Sequence, residues 1–328
     1  MRPASSSRAP CTRLETSPRQ GTLIVMLIAV TGGTGFIGRH LLRELVSQGH
    51  RLRVWHRETS DRSGLEDLSE SLEWQVGKLG DPAASAALVE GCDAVVHAAL
   101  DRPGRGFRAS EGELIPFCQA NLIGSLQLIE AARAAKVSRF VFVSSCAVHD
   151  KILDDRPLDE THPTWSASHY GAYKAAVEQF VYSFGLGHDY PICAVRPTGV
   201  YGLEHPIERS KWFDLVGEVV RGNPVTCDSG GKEVHAADVA RAIGLLLQAD
   251  EKEICGQVFN CYDRYVSKYE VATLAKQHSG SESSIHGQAT TPKHQIETEK
   301  IRSLGMNFGG DAQLEETIAA LVRAHEAR

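Results

Sequence analysis

The chain has 328 residues, of which 42% are hydrophobic and 23% are charged, and its formal net charge is −6. This composition excludes a disordered chain, a coiled coil and a collagen-like repeat, and it is typical of a soluble globular protein. The basic residues are scattered along the chain, so we expect neither nucleic acid nor an anionic membrane surface as a partner.

The eight cysteines show no paired short spacings, and neither they nor the fourteen histidines form a cluster with zinc-binding spacing. Cysteines in such an arrangement are typical of reduced packing residues in a cytosolic protein. We therefore predict a cytoplasmic protein without a metal site.

Residues 1–25 are rich in serine, arginine and proline, and the apolar run TLIVMLIAV overlaps their end. This run is too short to cross a bilayer, and it leads into a glycine-rich turn instead of a cleavage site of small residues. We interpret the run as a buried first strand. Residues 1–25 are interpreted as a disordered tail or a mis-annotated start, with Met26 as the alternative first residue. No later segment is long and apolar enough to cross a membrane.

From this strand onward, short β-branched runs alternate with amphipathic stretches. The predicted strands cover 25–32, 51–56, 94–99, 139–145 and 192–197, and the predicted helices lie near 36–48, 82–90, 115–136 and 170–186. Such alternation is typical of βαβ units, in which helices cover both faces of a parallel sheet. The sequence therefore predicts a doubly wound α/β fold of the Rossmann type.

After about residue 200 the pattern becomes less regular. We predict a helix near 210–221, a loop at 227–232, a helix at 236–249, a strand over 257–261 and two further helical segments. This part is interpreted as a smaller, partly interleaved C-terminal region that covers the open ends of the strands.

The segment TGGTGFIG, residues 31–38, joins the first strand to the first helix. Gly32 and Gly35 permit a tight turn and a close approach of the backbone to a pyrophosphate, and Gly38 lets the helix pack on the strand. The helix N-terminus offers free N–H groups to the anion. Because a strand precedes the motif and a helix follows it, the segment predicts a dinucleotide-binding site.

The strand pattern and this loop together divide the chain. Residues 26–200 are predicted to form an NAD(P)-binding domain, to which residues 234–262 return. The substrate-binding region would consist of residues 201–233 and 263–328.

The end of the second strand selects between NAD and NADP. Chains that bind NAD usually carry an acid there for the ribose 2′-hydroxyl, whereas chains that bind NADP carry an arginine for the 2′-phosphate. Here His56 occupies the acid position and Arg57 follows it. A guanidinium attracts the phosphate and a carboxylate would repel it, so NADP is favoured over NAD. The alternative is that Arg57 is a solvated surface residue and that Asp61 serves NAD.

Three further motifs follow the glycine loop in order: SSCAV at 144–148, YGAYK at 170–174 and RPTGVYG at 196–202. With these motifs the chain resembles the extended short-chain dehydrogenase/reductase family, the NAD-dependent epimerases and dehydratases that act mainly on nucleotide sugars. The resemblance covers about residues 26–325. It implies an enzyme with a nicotinamide cofactor and a small-molecule substrate.

The resemblance implies three catalytic residues, since Tyr170 and Lys174 match the family's tyrosine and lysine and Ser145 matches its serine or threonine. A phenol titrates near 10, but a neighbouring ammonium favours the phenolate, so Tyr170 can act as general base or acid. Positions i and i+4 share one face of a helix, which places the phenol beside Lys174. Tyr173 points elsewhere and is predicted to be a packing residue, and Cys146 is predicted to be a small buried residue.

The remaining site residues follow from the same resemblance. Substrate contacts are expected from Ser145, Thr198 and His149, although an exposed loop histidine is the simpler interpretation of His149. The cofactor site is expected to comprise Gly32, Gly35, Phe36, Ile37, Gly38, Arg57, Leu79, Ala98, Tyr170, Lys174 and Pro197.

Three functions remain open at this point. In the family's sugar dehydratases an Asp and a Glu follow the serine or threonine, and here Cys146 and Ala147 stand in their places, so dehydration is disfavoured. The leading hypothesis is an NAD(P)-dependent oxidoreductase or epimerase of a carbohydrate-like secondary alcohol, with nucleotide sugars among the candidates. The second is an NADPH-dependent carbonyl reductase, favoured by Arg57 and because Gly231 and Lys232 stand where nucleotide-sugar binders carry a diphosphate-binding arginine. The third is a non-catalytic NADP-sensing protein.

Members of the family often form dimers through two helices, which here cover about residues 115–135 and 170–186. The resemblance therefore permits a homodimer. It also leaves the adenine contact open, because Lys78 replaces the aspartate that usually makes it.

Overall fold

The computed structural model describes residues 25–102 and 112–328, so the predicted tail lies almost entirely outside the described residues. The strands of the described residues are β1 Leu27–Thr31, β2 Arg51–His56, β3 Leu72–Val76, β4 Ala94–His97, β5 Arg139–Val143, β6 Ile192–Pro197, β7 Gly199–Tyr201, β8 Val225–Cys227, β9 Gly230–His235, β10 Gln257–Cys261, β11 Arg264–Ser267 and β12 Ile285–Gly287.

The α-helices alternate with these strands and form the outer layers. They are α1 Phe36–Ser47, α2 Pro82–Val89, α3 Leu114–Cys118, α4 Gly124–Ala134, α5 His169–His188, α6 Phe213–Val220, α7 Ala236–Gln248, α8 Glu251–Ile254, α9 Lys268–Ser279, α10 Glu299–Ser303 and α11 Gly310–Glu326. A π-helical turn, Gln119–Ile123, joins α3 to α4, so the single helix predicted over 115–136 is divided.

Seven strands form the main sheet in the order β3-β2-β1-β4-β5-β6-β10, and each neighbouring pair is parallel. The strand order reverses between β1 and β4, and in open α/β sheets ligands bind at such a switch point, outside the carboxyl ends of the strands. The prediction of a doubly wound Rossmann-type sheet is confirmed.

The two faces of the sheet are buried in separate apolar layers, which explains the uninterrupted apolar runs of the inner strands. Ile28 and Val30 of β1 face the layer that contains α1 and α7, whereas Ala29 faces the layer that contains α4 and α5. β5 follows the same alternation, with Phe140 and Phe142 on the α5 side.

The structure differs from the prediction in several strands. β3 was not predicted, because it is an edge strand whose Glu73 and Val76 are exposed, so its apolar pattern is weak. The short strands β7, β11 and β12 were not predicted either. The segment 227–232 was predicted to be a loop, but β8 ends and β9 begins within it. β9 pairs with β7 and β11 in a small sheet beside the main one.

The C-terminal elements have their own apolar core, built mainly from α6, α9 and α11. β10 leaves this part and pairs in parallel with β6, extending the main sheet. Because α7 also packs on α1 and β5, the chain crosses between the two parts more than once.

Candidate active site

The loop between β1 and α1 forms a glycine-lined cradle at the carboxyl edge of the sheet. Gly32 has φ of +76°, and a Cβ on it would lie 2.7 Å from the carbonyl carbon of Ala98. The Gly35 N–H donates to the Gly32 carbonyl over 3.0 Å. A Cβ on Gly38 would collide with that same carbonyl and with the backbone of Gly33. The turn and the packing of α1 on β1 therefore both require residues without a side chain.

Helix α1 opens onto this cradle without a capping side chain. Its N-cap is Gly35, and its first turn contains no acidic residue. The Arg39 N–H closes the first turn onto the Gly35 carbonyl, so the N–H groups of Phe36 and Ile37 have no acceptor within the helix. Such an N-terminus attracts anions. The pyrophosphate of a nicotinamide dinucleotide fits this combination of close backbone and free N–H groups.

Arg57 follows β2 and faces a carboxylate that the sequence analysis did not identify. Its guanidinium lies 3.5 Å from the Asp101 carboxylate, and both side chains are more than half exposed. The backbone N–H and carbonyl of Asp101 are each bonded over 2.7 Å to the amide of Asn121, which is buried in the π-helical turn. Asn121 therefore fixes Asp101 opposite Arg57.

Asp61, the alternative ribose ligand, is bonded within its own loop. Its carboxylate accepts hydrogen bonds from the Ser63 N–H and hydroxyl over 3.0 and 2.6 Å. Its carbonyl accepts one from Arg39 over 2.8 Å, and Arg39 also donates to the carbonyls of Thr34 and Ser63. The Arg39 side chain thus ties the loop after β2 to the glycine cradle.

Other predicted cofactor residues lie along the same edge of the sheet. Leu79 follows β3 and packs closely against the start of α4. A Cβ added to Gly124 of α4 would lie 3.1 Å from the Cβ of Leu79. Ala98 follows β4 beside Gly32, and Pro197 ends β6. Lys78 is exposed. Of these residues, Gly32 and Ala98 lie at the switch point between β1 and β4, and the others follow strands on either side of it.

The three predicted catalytic residues meet where β5 ends and α5 begins. Ser145 follows β5 and hydrogen bonds to the Tyr170 hydroxyl. Tyr170 lies in the first turn of α5, whose N-cap Ser168 accepts a hydrogen bond from the Gly171 N–H over 3.1 Å. Burial raises the pKa of Tyr170, while the Ser145 hydrogen bond and the charge of Arg102 act in the opposite direction.

Lys174 lies one turn further along α5, under aromatic rings. Its Nζ donates to the Val143 carbonyl over 2.6 Å. The Nζ also lies 4.5 Å from the ring centroid of Phe142, 4.9 Å from that of Tyr173 and 5.6 Å from that of Tyr170. Burial lowers the pKa of Lys174 to about 7. Around neutral pH both the protonated and the neutral form of this side chain are therefore populated.

Tyr173 is buried and packs edge-on against the rings of Phe117 and Phe142, as expected of a packing residue. Its hydroxyl also belongs to a buried hydrogen-bond chain that the sequence analysis missed. Successive links join Tyr173 to Ser125 over 3.3 Å, Ser125 to His97 over 2.8 Å, His97 to Thr31 over 2.7 Å and Thr31 to the Ala99 N–H over 3.1 Å. Burial lowers the pKa of His97 to about 3, so this histidine is neutral.

His149 is not the exposed loop residue that was expected. It is 7% exposed, its Nδ1 donates to the Pro163 carbonyl over 3.2 Å, and its Nε2 accepts from Arg196 over 3.2 Å. Burial is the main reason that the pKa of His149 falls to about 4. An interior arginine at the end of β6 therefore binds His149, a contact that no local pattern in the sequence could indicate.

Cys146 follows Ser145 directly, and Thr198 follows β6. The Cys146 thiol donates to the Arg196 carbonyl over 3.1 Å, and burial raises its pKa to about 12, so it is not a nucleophile at neutral pH. The Thr198 hydroxyl oxygen is buried and has no hydrogen-bond partner among the described residues. A buried hydroxyl of this kind is ready to bond a polar ligand.

Arg102 is a further charged group that the sequence analysis did not single out. Its guanidinium carbon lies 5.9 Å from the ring centroid of Tyr170. Within residues 25–102 and 112–328 there is no group of three or more His, Cys, Asp or Glu side chains that could hold a metal ion. No helix in these same residues is long and apolar enough to cross a membrane.

The chain is similar in sequence and in structure to several known proteins. A curated relative from Stigmatella aurantiaca, 4-hydroxy-2-methyl-3-oxo-4-farnesyl-3,4-dihydroquinoline-1-oxide ketoreductase, is 31% identical over 67% of this chain and 64% of its own length. The dTDP-D-glucose 4,6-dehydratase of Mus musculus is 28% identical over 85% of this chain and 83% of its own.

A solved structure of the UDP-glucose-4-epimerase from Stenotrophomonas maltophila, with bound NAD, shares the fold. Its TM-score is 0.75 at 24% identity, over 92% of this chain and 99% of that one. The model of the NAD dependent epimerase/dehydratase family matches residues 28–261. This match covers more than half of the chain, and the chain belongs to the NAD dependent epimerase/dehydratase family.

Proposed function

We propose that this protein is an NAD(P)-dependent oxidoreductase or epimerase of a carbohydrate-like secondary alcohol. The observation that carries the proposal is the arrangement of Ser145, Tyr170 and Lys174 at the carboxyl edge of the sheet, beside the glycine cradle. The Tyr170 hydroxyl is bonded to Ser145, and Lys174 lies under the same phenol ring. These are the groups that a reversible exchange between a secondary alcohol and a ketone requires.

Each residue has a defined part in this exchange. When bound, the nicotinamide supplies the hydride acceptor or donor. Ser145 orients the substrate oxygen by a hydrogen bond, and Tyr170 takes the hydroxyl proton in oxidation or returns it in reduction. A protonated Lys174 stabilises the Tyr170 phenolate by its charge. The Thr198 hydroxyl, buried and unpaired in the described residues, would bond a further polar group of the substrate.

The cofactor that we propose is NADP. Arg57 follows β2, where chains that bind NADP carry an arginine for the 2′-phosphate, and the competing Asp61 carboxylate is bonded to Ser63. The guanidinium of Arg57 is more than half exposed, so it can turn from Asp101 toward a phosphate.

Dehydration stays disfavoured in this proposal. A dehydratase needs an acid and a base next to the substrate carbons, but Cys146 is bonded to a backbone carbonyl and keeps its proton at neutral pH. Ala147 has no titratable group.

A second candidate is an NADPH-dependent carbonyl reductase. Gly231 and Lys232 occupy the place of the diphosphate-binding arginine, and Lys232 is only partly buried, with a pKa lowered by that burial. A site with one lysine there suits a substrate without a nucleotide diphosphate. The third candidate, an NADP-sensing protein without activity, is opposed by the intact catalytic arrangement.

Cofactor retention and turnover separate these candidates. An epimerase regenerates its cofactor, so it should purify with cofactor bound and show no net consumption of added NADPH, whereas a reductase should consume it. We would test a panel of nucleotide sugars, free sugars and ketones, following cofactor fluorescence and product stereochemistry together. If no member of the panel is converted and no nicotinamide nucleotide binds, an enzymatic function is refuted.

We also propose that the protein is a homodimer that pairs through the outer faces of α4 and α5. Ile123, which directly precedes α4, is 47% exposed, and Phe180 and Leu186 of α5 are 39% and 70% exposed. These exposed apolar side chains on the two helices support the proposal. Light scattering after gel filtration gives the mass of the wild type and of a Phe180→Glu variant. A monomeric wild type contradicts the proposal.

A further inference from the structure

Three consecutive residues at the end of β5 contact three residues of α5. The Val143 carbonyl accepts from the Lys174 Nζ over 2.6 Å, and the Ser144 hydroxyl donates to the Glu178 carboxylate over 2.5 Å. The third contact joins Ser145 to the Tyr170 hydroxyl. The middle contact involves neither of the residues assigned to proton transfer.

Helix geometry makes the three contacts depend on one another. Residues 170, 174 and 178 are spaced by four, so they form one stripe along α5 that faces the end of β5. A rotation of α5 about its axis, or a slide along it, would change all three distances together. The Ser144 contact therefore fixes the position of the helix on which Tyr170 and Lys174 lie.

The acceptor of Ser144 is held rigidly in the interior. Glu178 and Arg196 have side chains that are 0% and 1% exposed. Arg196 donates to both carboxylate oxygens of Glu178, over 2.9 and 2.7 Å, which is the bidentate geometry that restricts orientation most. Because Arg196 lies on β6 and Ser144 follows β5, the Glu178 carboxylate joins α5 to two neighbouring strands.

We propose that Ser144 and Glu178 are positioning residues for Tyr170, and that their contact sets the alignment of the Ser145 and Tyr170 hydroxyls. The proposal rests on the proposed function in one respect, namely that Tyr170 is the proton-transfer group. The motif SSCAV contains Ser144, but the sequence analysis assigned catalysis only to its neighbour Ser145, and Glu178 lies outside the motifs named there.

The titration of Tyr170 reports this alignment. The Ser145 hydrogen bond lowers the pKa of Tyr170 against the effect of burial. The other charged or titratable groups that face this phenol include Lys174 and Tyr173 on α5, Arg102 after β4 and Cys146 after Ser145. Removing the Ser144 hydroxyl leaves each of these side chains in place, while Glu178, the acceptor of Ser144, acts on Lys174 and Cys146 by its charge.

The test is a Ser144→Ala variant of the full chain, measured by near-ultraviolet difference absorbance of tyrosinate with and without NADP. Subtracting the titration of a Tyr170→Phe protein isolates Tyr170. We expect the apparent pKa of Tyr170 to rise by about one unit or more in Ser144→Ala, since a lost hydrogen bond to the charged form raises it. Ser144→Thr restores the hydroxyl and should restore the wild-type titration.

Ser85→Ala is the matched control, because Ser85 is also buried and donates to the Asp81 carbonyl over 2.9 Å, outside the site. It should lower the Tm without moving the Tyr170 titration. If Ser144→Ala likewise lowers the Tm and leaves the titration unchanged, the positioning role is refuted. Glu178→Asp, which keeps the charge but shortens the side chain, should raise the Tyr170 pKa as Ser144→Ala does, and an unchanged value there also contradicts the proposal. Failure of the proposed function would be seen separately, as a wild-type Tyr170 titration that neither NAD nor NADP changes.

Discussion

We predict that the cofactor preference depends on the pair formed by Arg57 and Asp101, and each partner can be removed separately. Arg57→Ala deletes the group that would bind a 2′-phosphate. Asp101→Asn deletes the carboxylate that competes for Arg57 at 3.5 Å and would repel the same phosphate. We expect the first substitution to weaken NADP binding and the second to strengthen it.

The two effects differ in size because the two contacts differ in kind. A charge-assisted hydrogen bond contributes about 1.5 to 3 kcal/mol, so the loss of one raises the Kd for NADP by about 10- to 150-fold. The pair with Asp101 is exposed and worth only about 0 to 1 kcal/mol. Asp101→Asn should therefore lower the Kd for NADP by no more than about fivefold. NAD lacks the phosphate, and its Kd should change little in either variant.

Equilibrium titration of both cofactors against wild type and both variants measures these constants, at low and at moderate salt. The differences for NADP should shrink as salt rises, because exposed charges are screened. An Arg57→Ala protein whose ratio of NADP to NAD affinity equals that of the wild type would refute the assignment of Arg57. In that case Arg57 would be the solvated residue of the alternative interpretation.

Three further outcomes follow from the site. Tyr170→Phe should abolish turnover of whichever substrate the panel identifies and leave the Kd of the cofactor nearly unchanged, and appreciable residual activity would remove Tyr170 from its role. Gly38→Ala should prevent cofactor binding, because its Cβ would collide with the Gly32 carbonyl. Gly187→Ala is the control, since its Cβ meets open space and the variant should bind cofactor normally. Equal cofactor binding by both variants would contradict the assignment of the glycine loop to the cofactor. Burial lowers the pKa of Lys174 from its usual 10.5 to about 7. Between about pH 7 and pH 10.5 the unfolded chain therefore holds this proton while the folded chain has lost it, and the free energy of unfolding rises with pH over that range. The Tm of Lys174→Met should therefore be higher than that of the wild type, and the difference should be largest below about pH 7. If the difference does not become smaller as the pH rises, the lowered pKa of Lys174 is contradicted.

The sequence alone predicts a strand or helix correctly where the neighbouring residues along the chain determine that element. The strand over 257–261 and the helix over 236–249 were predicted to within one residue, because their apolar residues recur with strand or helix periodicity. β3 was missed because an edge strand buries little and so has no such periodicity. Gly230 and Gly231 were interpreted as loop residues, although they lie in β9 opposite Ser267 and Val266 of β11, a pairing that is set by distant chain.

The same distinction applies to the site. Tyr170 and Lys174 can be paired from their spacing alone, since one helix carries both. His149, Asp101 and Glu178 each have partners that are 20 or more residues away or on other strands, namely Arg196, Asn121 and Ser144. No periodicity connects such pairs, so their roles depend on tertiary packing.

The buried chain from Tyr173 to Ala99 has a consequence for the path of protons. Ser125 has one hydroxyl hydrogen, which it donates to the Asn121 carbonyl over 2.5 Å, so Tyr173 and His97 must both donate to Ser125. His97 then carries its hydrogen on Nε2 and accepts at Nδ1 from Thr31, whose oxygen accepts from the Ala99 N–H. The Tyr173 and His97 hydrogens point toward Ser125 from opposite sides, and the Ser125 hydrogen points to a backbone carbonyl that cannot pass a proton on, so this row of hydrogen bonds is not a continuous proton relay. If Tyr170 takes a proton from the substrate, as proposed, this row does not carry that proton from Tyr173 to the β1 end of the sheet.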